Sequence, residues 1–208
     1  MNIAVIAANG RSGQAFVEAA LAAGHNVRAG VRGKSYLQPH PHMTVVECDA
    51  TNEAQLTALL TGQEAVASFI GHVKGSDADV QTLAMKKLVD VMQTLSITRL
   101  VSLTGTGVRF PGDKISLVDR ILNLSISLID PKRIADGKNH VRFLETTNLD
   151  WTVIRVLKLQ NTSPTPFTLL EHGPTKWYVS REDVAKAVLQ VLEKQSFIKQ
   201  APIIGKQR

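Results

Sequence analysis

The stretch VIAANGRSGQ, residues 5–14, decides the fold. It joins a short apolar run to an alanine-rich segment of helical period, and a glycine loop between a strand and a helix is typical of the first βαβ unit of a parallel sheet. A loop of the form GxxGxxG would have glycine at positions 7, 10 and 13, whereas this chain has Ala7, Gly10 and Gly13. The stretch raises the question of whether a loop without its first glycine still forms a phosphate site.

The two remaining glycines keep the properties that a phosphate site needs. Gly10 lets the backbone approach a pyrophosphate without a Cβ in the way, and Gly13 lets the following helix pack closely on the strand. The helix that begins near Ser12 directs unpaired N–H groups and its positive dipole end toward the same place. Alanine is the least costly replacement for the first glycine, and we expect a negative φ at Ala7. The alternative is that the strand, loop and helix bind no ligand.

Beyond this stretch, apolar runs of strand length alternate with longer segments of helical period, which indicates βα units and a mainly parallel sheet. The predicted fold class is α/β, a Rossmann-like doubly wound sheet with helices on both faces, in a single domain over residues 1–208. The predicted strands are 2–7, 26–31, 44–48, 65–70, 99–103, 151–156 and 201–204. The predicted helices are 12–23, 53–61, 77–95, 133–147 and 181–193.

Two of the predicted helices carry start signals, and one segment departs from the alternation. Ser76 with Asp79, and Ser180 with Asp183, each place a carboxylate three positions after an N-cap hydroxyl, as in a capping box. The segment 109–136 begins RFPGDK, and an extra helix is predicted within it. In doubly wound folds an insertion after a strand's carboxyl end covers the substrate site. The alternative is an ordinary amphipathic helix on the surface.

Composition and charge argue against several classes of protein. The net charge of +6 is scattered along the chain without a basic block, so nucleic-acid binding is not predicted. The single cysteine, Cys48, excludes an internal disulfide framework, and the spacing of the histidines predicts no metal site. No apolar run approaches the roughly 20 residues that span a bilayer, and the first residues do not resemble a signal peptide. We therefore expect a cytoplasmic protein that does not bind membranes.

The end of the predicted second strand distinguishes between two related cofactors. NAD-binding folds place a carboxylate on the ribose 2′-hydroxyl about 20 residues beyond the loop. Here no carboxylate occurs between Glu18 and Glu47, and the strand ends VRAGVRGK. A guanidinium at this position binds a 2′-phosphate bidentately, so Arg32 predicts NADP in preference to NAD. Arg28 and Lys34 are interpreted as solvated charges, which is also the alternative for Arg32.

Five further stretches carry a family resemblance. They are VVECDATN at 45–52, EAVASFIGH at 64–72, RLVSLTGTG at 99–107, NLDWTVIR at 148–155 and YVSREDVAKAVLQVLE at 178–193. With the glycine loop, they make the chain similar to the atypical short-chain dehydrogenase/reductases, and within them to the NmrA-like and flavin-reductase-like NAD(P)H-binding proteins of the biliverdin reductase B type. That family's loop is commonly GATGxxG, which residues 7–13 match with the first glycine replaced.

The resemblance implies a cofactor site for NADP(H). It places the pyrophosphate on Gly10, Arg11, Ser12 and Gly13, with Asn9 also at the cofactor, and it places the 2′-phosphate on Arg32. Asp49 is expected beside the adenine, with an N-cap of the next helix as the other interpretation. Gly71 lets the chain pass the ribose of the cofactor. His72 is a candidate for the pocket, or a plain exposed loop residue.

The acid–base pair of the wider superfamily is missing. That pair is a tyrosine with a lysine four residues later, and neither Tyr36 nor Tyr178 precedes a lysine by four. Lys138 stands in the helix where the lysine would be sought and is predicted at the cofactor, but the residue four before it is Ile134. Thr104, just after the predicted fifth strand, is predicted to be the catalytic hydroxyl that orients the substrate or the nicotinamide. The alternative is that it only satisfies loop backbone groups.

Hydride transfer to a flavin, a quinone or another conjugated acceptor depends less on such an acid than carbonyl reduction does. The sequence therefore predicts an NADP(H)-dependent oxidoreductase with a small-molecule acceptor of this kind. The alternative is a non-catalytic NADP(H)-binding sensor or regulator of the NmrA-like type, in which the missing pair means missing turnover. A basic nucleic-acid-binding protein has the least support.

Overall fold

The computed structural model describes residues 1–73 and 75–206. Its strands are β1 (Asn2–Ile6), β2 (Asn26–Val31), β3 (Met43–Glu47), β4 (Ala65–Ser68), β5 (Arg99–Gly105), β6 (Asp150–Val156), β7 (Leu159–Gln160), β8 (Phe167–Leu170), β9 (Val179–Ser180) and β10 (Ile203–Lys206). Its helices are α1 (Arg11–Ala22), α2 (Glu53–Leu60), α3 (Val80–Thr94), α4 (Leu117–Ile129), α5 (Pro131–Glu145) and α6 (Arg181–Glu193). Within these described ranges, no helix is long and apolar enough to cross a membrane.

Eight strands form one sheet in the order β3-β2-β1-β4-β5-β6-β10-β8. Neighbouring strands from β3 to β10 are parallel, and β8 runs antiparallel to β10 at the edge. The direction of winding reverses between β1 and β4, and ligands of doubly wound sheets bind at the carboxyl ends of the strands that flank such a reversal. The predicted Rossmann-like α/β fold class is therefore confirmed.

Helices cover both faces of this sheet. Along β1, Ile3 and Val5 belong to the core cluster that includes Phe16 of α1 and several residues of α6. Ala4 and Ile6 point to the opposite side and join the cluster formed with α2, α3 and α5. Because both faces are buried, the central strands are continuous apolar runs and not alternating ones.

All seven predicted strands are present, with ends shifted by a few residues, whereas β7, β8 and β9 were not predicted. β8 lies in the polar stretch TSPTPFTLL, residues 162–170, which has no strand-like run of its own. Its pairing partner β10 is more than 30 residues away along the chain, from Leu170 with Ile203 to Phe167 with Lys206. An edge strand of this kind is specified by its partner, and a local pattern does not reveal it.

The predicted capping box at the start of α3 is wrong. The Ser76 hydroxyl donates to the carbonyl of Val73 at 2.9 Å, and α3 begins later than expected. The first turn of α3 is capped from α5 instead. There the carboxylate of Asp136 accepts from the backbone N–H of Gln81 at 2.9 Å and of Thr82 at 3.0 Å. A buried carboxylate from a neighbouring helix thus performs the role that the local sequence assigned to a serine.

Of the two hydrogen bonds of the capping box predicted at the start of α6, one is confirmed. The Ser180 hydroxyl accepts from the backbone N–H of Asp183 at 2.9 Å, as predicted. The Asp183 carboxylate does not return to the cap but accepts from the backbone N–H of Thr165 at 3.1 Å and lies 3.3 Å from the Lys176 ammonium. This carboxylate therefore attaches the loop before β8 to α6.

The segment 109–136 contains the predicted extra helix, α4, and its beginning is attached to the sheet by a buried ion pair. Arg155 of β6 is 1% exposed and donates to both carboxylate oxygens of Asp113, at 2.5 and 2.9 Å. Its other N–H groups donate to backbone carbonyls, those of Val108, Glu171 and Ala201. A charge buried this deeply is stable only when it is paired and hydrogen-bonded in this way.

Candidate functional site

A cavity of about 520 Å³ lies at the carboxyl ends of β4, β5 and β6. Residues 69–72 after β4, 103–105 in β5 and 156–159 after β6 line it, and Arg11 and Ser12 bring the start of α1 to its edge. A concave site at this edge of a doubly wound sheet is where dinucleotides bind. The cavity therefore extends from the glycine loop to β5, the strand that carries Thr104.

The backbone of the glycine loop turns so tightly that it leaves no room for a side chain at Gly13. A Cβ there would lie 2.5 Å from the carbonyl oxygen of Ala7 and 2.9 Å from the Cα of Ala8, and a Cβ at Gly10 would lie 3.2 Å from the Ala7 oxygen. α1 begins at Arg11, and no side chain in the described part of the protein caps its first N–H groups. These amides and the helix dipole fit the pyrophosphate of an NAD(P) cofactor.

Ala7 adopts a left-handed conformation, with a φ of 58°, so the expected negative φ is wrong. A hydrogen bond of 3.0 Å from the N–H of Gly10 to the Ala7 carbonyl closes the turn that follows this residue. An L-residue in this region costs about 1–2 kcal/mol because its Cβ crowds the following carbonyl. The loop therefore keeps the conformation of the missing glycine, at a cost in strain.

Replacing Ala7 by Gly is expected to raise the free energy of unfolding by about 0.5–1 kcal/mol, because glycine removes the strain but gains freedom in the unfolded chain. Urea unfolding measures the change. Ala58→Gly, at an exposed position of α2, is the matched control and should instead lose about 0.5–1 kcal/mol. A destabilised Ala7→Gly protein would show that the left-handed alanine is not strained.

Asn9 organises the loop and does not face the cavity. Its amide nitrogen donates to the carbonyl of Lys34 at 2.7 Å, and its amide oxygen accepts from the N–H of Tyr36 at 3.0 Å. The Gln14 side chain donates to the Asn9 carbonyl at 2.6 Å. The side chain predicted at the cofactor is thus occupied in attaching the segment after β2 to the glycine loop. It helps to place Arg32, which lies in that segment.

Arg32 and Asp49 lie together at the other end of the predicted cofactor path. The Arg32 side chain is 75% exposed, and its guanidinium is 3.9 Å from the Asp49 carboxylate. The N–H and hydroxyl of Thr51, and then Arg32, hold the pKa of Asp49 below its usual value. The N-cap interpretation of Asp49 is wrong, because the Asn52 side chain caps α2. Asp49 therefore keeps its predicted place near the end of β3.

Arg28 has a structural role that separates it from Arg32. Its guanidinium donates to the carbonyls of Ala58 and Thr61, at 3.2 and 2.6 Å, at the end of α2. The interpretation of Arg28 as a solvated charge is therefore wrong, since a cation at a helix C-terminus satisfies its last carbonyls. Gly71, in contrast, lines the cavity where an added Cβ would meet no atom within 4 Å, so the described chain leaves room beside it.

Hydroxyls stand at every second position from 102 to 106, on Ser102 and Thr104 of β5 and on Thr106 just after the strand, and that of Thr104 faces the cavity. The Ser102 hydroxyl is 3.1 Å from Nε2 of His140, whose pKa burial lowers to about 4. The Thr106 hydroxyl accepts from the Asn123 side chain at 3.0 Å. Thr104 lines the cavity, and across residues 1–73 and 75–206 its hydroxyl has no hydrogen-bond partner. This hydroxyl is therefore the one available to a ligand.

The predicted cofactor contact of Lys138 does not agree with its position. Lys138 is exposed, and α5 presents Ile134 and Gly137 to the cavity instead. A Cβ at Gly137 would lie 2.7 Å from the Thr104 hydroxyl, so the glycine lets helix and strand approach at this point. Adjacent residues of a helix are turned about 100° apart, which directs Lys138 away when Gly137 faces inward. The structure does not bring this lysine to the site.

His72 lines the cavity and is held by a buried carboxylate. Its Nε2 is 2.9 Å from the Asp136 carboxylate, and its side chain is 9% exposed. Of the two interpretations of His72, the structure favours the pocket residue. The role of Asp136 could not be found from the sequence, because its partners lie 54 to 64 residues away and leave no local pattern.

α4 contributes two side chains to the wall of the cavity. Asn123 and Ile126 of α4 line the cavity. Asp119, about one turn earlier in the same helix, is fully buried and holds the helix in place. The Asp119 carboxylate accepts from the Arg109 guanidinium at 2.5 Å and from the Thr175 hydroxyl at 2.7 Å. One face of α4 therefore lines the cavity, and whether the insertion covers a bound substrate stays a prediction.

Comparison with known proteins agrees with this geometry. Residues 7–195 match the model of a family described as NAD(P)H-binding. An uncharacterized chloroplastic protein of Arabidopsis thaliana is 25% identical over 218 residues, covering 97% of this chain and 76% of its own length. A short-chain dehydrogenase/reductase of Veillonella parvula, crystallised with NADP, is 20% identical with a TM-score of 0.83, over 99% of this chain and 94% of its own.

A proposed NADH-flavin reductase of Streptococcus pneumoniae is 24% identical with a TM-score of 0.77, over the whole length of both chains. At these identities the solved structures establish a shared fold and no more. The family model spans most of the sequence, including the glycine loop, the strand ends and α6. This chain has the strand order, glycine cradle and edge cavity described above, and it belongs to the NAD(P)H-binding family.

Proposed function

We propose that the protein is an NADP(H)-dependent oxidoreductase that reduces a small conjugated acceptor of the flavin or quinone type. The observation that carries this proposal is the wall of the cavity beside Thr104. Where the superfamily's tyrosine would stand, four residues before Lys138, this chain presents Ile134 to the cavity. Tyr36 and Tyr178 are exposed and do not line the cavity.

The chemistry of the cavity wall suits a planar ring. The apolar side chains that line the cavity include Phe69 just after β4, Leu103 of β5, Ile126 of α4, Ile134 of α5 and Val156 of β6. Apolar walls with a few placed polar groups are typical of sites for aromatic ligands. A flavin or quinone delocalises the charge that it gains with hydride, so it needs a surface to stack on more than a strong acid.

The residues of this chain would bind and orient the two reactants. A bound NADPH supplies hydride from C4 of its nicotinamide. The amides at the start of α1 bind its pyrophosphate, Arg32 binds its 2′-phosphate, and Thr104 orients the nicotinamide or the acceptor with its free hydroxyl. Ile126 of α4 adds an apolar side chain to the wall of the cavity. We place the protein in the cytoplasm, a reducing compartment that suits its single buried cysteine.

A second candidate function is an NADP(H)-binding sensor, and one observation favours it. The outer face of α4 exposes four large apolar side chains at spacings of four, three and four, namely Leu117, Ile121, Leu124 and Leu128. The opposite face of the same helix lines the cavity. A contact surface on the outside of a helix that touches the ligand would let a regulator report occupancy to a partner.

Turnover distinguishes the two candidates. The absorbance of NADPH is followed with riboflavin, FMN and a series of quinones, and NADPH affinity is measured separately by fluorescence titration. We expect NADPH to be consumed with at least one of these acceptors, because the apolar side chains of the cavity offer a surface for a planar ring near Thr104. Tight NADPH binding without turnover over the whole panel would contradict the reductase and favour the sensor.

A further inference from the structure

We infer that His72 is the proton donor of the reaction, and that Asp136 is the positioning residue that orients its ring. The inference rests on the proposed reductase function and deepens it. Hydride alone leaves a quinone or flavin with a negative charge, and a proton must then reach an oxygen or nitrogen of the acceptor. His72 lines the cavity in which that charge forms.

The contacts of Asp136 hold the histidine ring in one orientation. The carboxylate, which is 2% exposed, lies 2.9 Å from Nε2 of His72. It also accepts from the N–H groups of Gln81 and Thr82 and from the Thr82 hydroxyl, the last at 2.5 Å. Because these donors come from the first turn of α3, the carboxylate is fixed by a helix and cannot follow the ring.

This orientation decides which ring nitrogen exchanges protons. A carboxylate next to Nε2 keeps a proton on that nitrogen in the neutral ring, as in other carboxylate–histidine pairs. Nδ1 is then the atom that gains and loses a proton. Within the described ranges, Nδ1 of His72 has no hydrogen-bond partner. The ring therefore offers Nδ1 to the acceptor.

A second cavity gives the ring access to solvent protons. It has a volume of about 370 Å³, and both His72 and Arg133 line it as well as the main cavity. Val73, which is 65% exposed, also borders it. Among the described residues, the charged groups at the ring and around this cavity are Asp136 and Arg133 on α5 with Asp130 and Lys132. Arg133 donates to the His72 carbonyl at 3.3 Å.

The step balances in atoms and charge. The acceptor receives two electrons and one hydrogen as hydride, which leaves NADP⁺ and places a negative charge on an acceptor oxygen or nitrogen. The imidazolium of His72 then breaks its Nδ1–H bond and gives that proton to the charged atom, while the electron pair stays on Nδ1. The neutral ring regains a proton from water through the second cavity. The sum is NADPH, acceptor and one proton going to NADP⁺ and the doubly reduced acceptor.

The test compares an acceptor that needs this proton with one that does not. Naphthoquinone requires a proton after hydride, whereas N-methylphenazinium is a cation that hydride alone makes neutral. For His72→Gln, whose amide can still donate to Asp136, we expect kcat with naphthoquinone to fall about tenfold and kcat with N-methylphenazinium to stay within about twofold. The fall of the wild-type naphthoquinone rate toward high pH should disappear in the variant.

His40→Gln is the matched control, since His40 is exposed and outside the cavity, and it should leave both rates unchanged. Equal losses of His72→Gln with both acceptors, or no loss with either, would overturn the role of His72. If the wild-type protein reduced naphthoquinone no faster than buffer does, the role of His72 would have no reaction to act in, and if it reduced nothing in the whole panel, the proposed function itself would fail.

A measurement on the protein without cofactor tests the positioning separately. In ¹⁵N NMR spectra, neutral His72 is expected to carry its proton on Nε2. Asp136→Asn should weaken this tautomer preference, because an amide no longer requires a donor on the ring. Melting curves of both variants show whether the fold survives. A proton found on Nδ1 in the neutral wild-type ring would overturn the assignment of Nδ1 as donor atom.

Discussion

Replacing Asp113 by Ala is expected to lower the free energy of unfolding by about 3–5 kcal/mol, a large share of the total for a domain of this size. The variant leaves the guanidinium of Arg155, which is 1% exposed, without its counter-charge. The three backbone carbonyls around that guanidinium keep their bonds but do not neutralise it. Urea unfolding followed by circular dichroism measures the loss.

A double variant separates the cost of the unpaired charge from the value of the ion pair. Asp113→Ala with Arg155→Met should be less destabilised than the sum of the two single variants, because no isolated charge remains buried. Asp90→Ala, which removes an exposed carboxylate of α3, should change stability by less than about 0.5 kcal/mol. A loss at Asp113 no larger than this control would mean that solvent reaches Arg155.

The same pair predicts acid sensitivity. Burial by itself raises the pKa of Asp113, but the N–H donors of Arg155 and Phe110 outweigh it and hold the pKa below its usual value. A lowered pKa means that the stabilisation is complete above the ordinary aspartate value of about 4 and is lost as the pH falls through the lowered value. The wild-type protein should lose this contribution below about pH 4, and Asp113→Ala should lack it.

The parts of the fold that were predicted are those that local patterns specify. β1, β2, β4, β5 and β6 are buried on both faces and therefore appear in the sequence as short Val- and Ile-rich runs. The glycine loop was recognisable because a close approach of backbone to backbone at Gly13 excludes every other residue type. The antiparallel strand β8 and the cap of α3 were missed because both depend on partners distant in sequence.

The residues of the candidate site show the same difference between local patterns, which were recognised, and distant partners, which were missed. Residues placed by a strand end or a helix start, such as Arg11, Gly71 and Thr104, line the cavity as their positions in the sequence indicated. Lys138 was misplaced because the identity of a helix residue does not say which way the helix is rotated. Asp136 was missed because a lone aspartate within a helix resembles any surface charge until its partners are known.

Replacing Arg32 by Ala is expected to weaken NADPH binding by about 30- to 100-fold and to change NADH binding by less than about twofold. This result follows from the proposed preference for NADP, since the guanidinium would form a charge-assisted, bidentate contact with the 2′-phosphate and has no group to bind in NADH. Arg32 is 75% exposed and lies 3.9 Å from Asp49, a surface pair that contributes little to folding. The variant should therefore fold normally. A change in NADPH affinity, measured by fluorescence titration, would then come from the lost contact between Arg32 and the 2′-phosphate.

Lys34→Ala is the matched control, because Lys34 is another exposed cation of the same loop, joined to Asn9 only through its backbone carbonyl. If the general positive charge of this edge attracted the cofactor, the two variants would weaken NADPH binding equally, and both effects would fade at high salt. A specific contact predicts a large effect of Arg32→Ala that persists in salt, and a small effect of Lys34→Ala. Equal losses for NADPH and NADH in Arg32→Ala would remove the basis for assigning the 2′-phosphate to this residue.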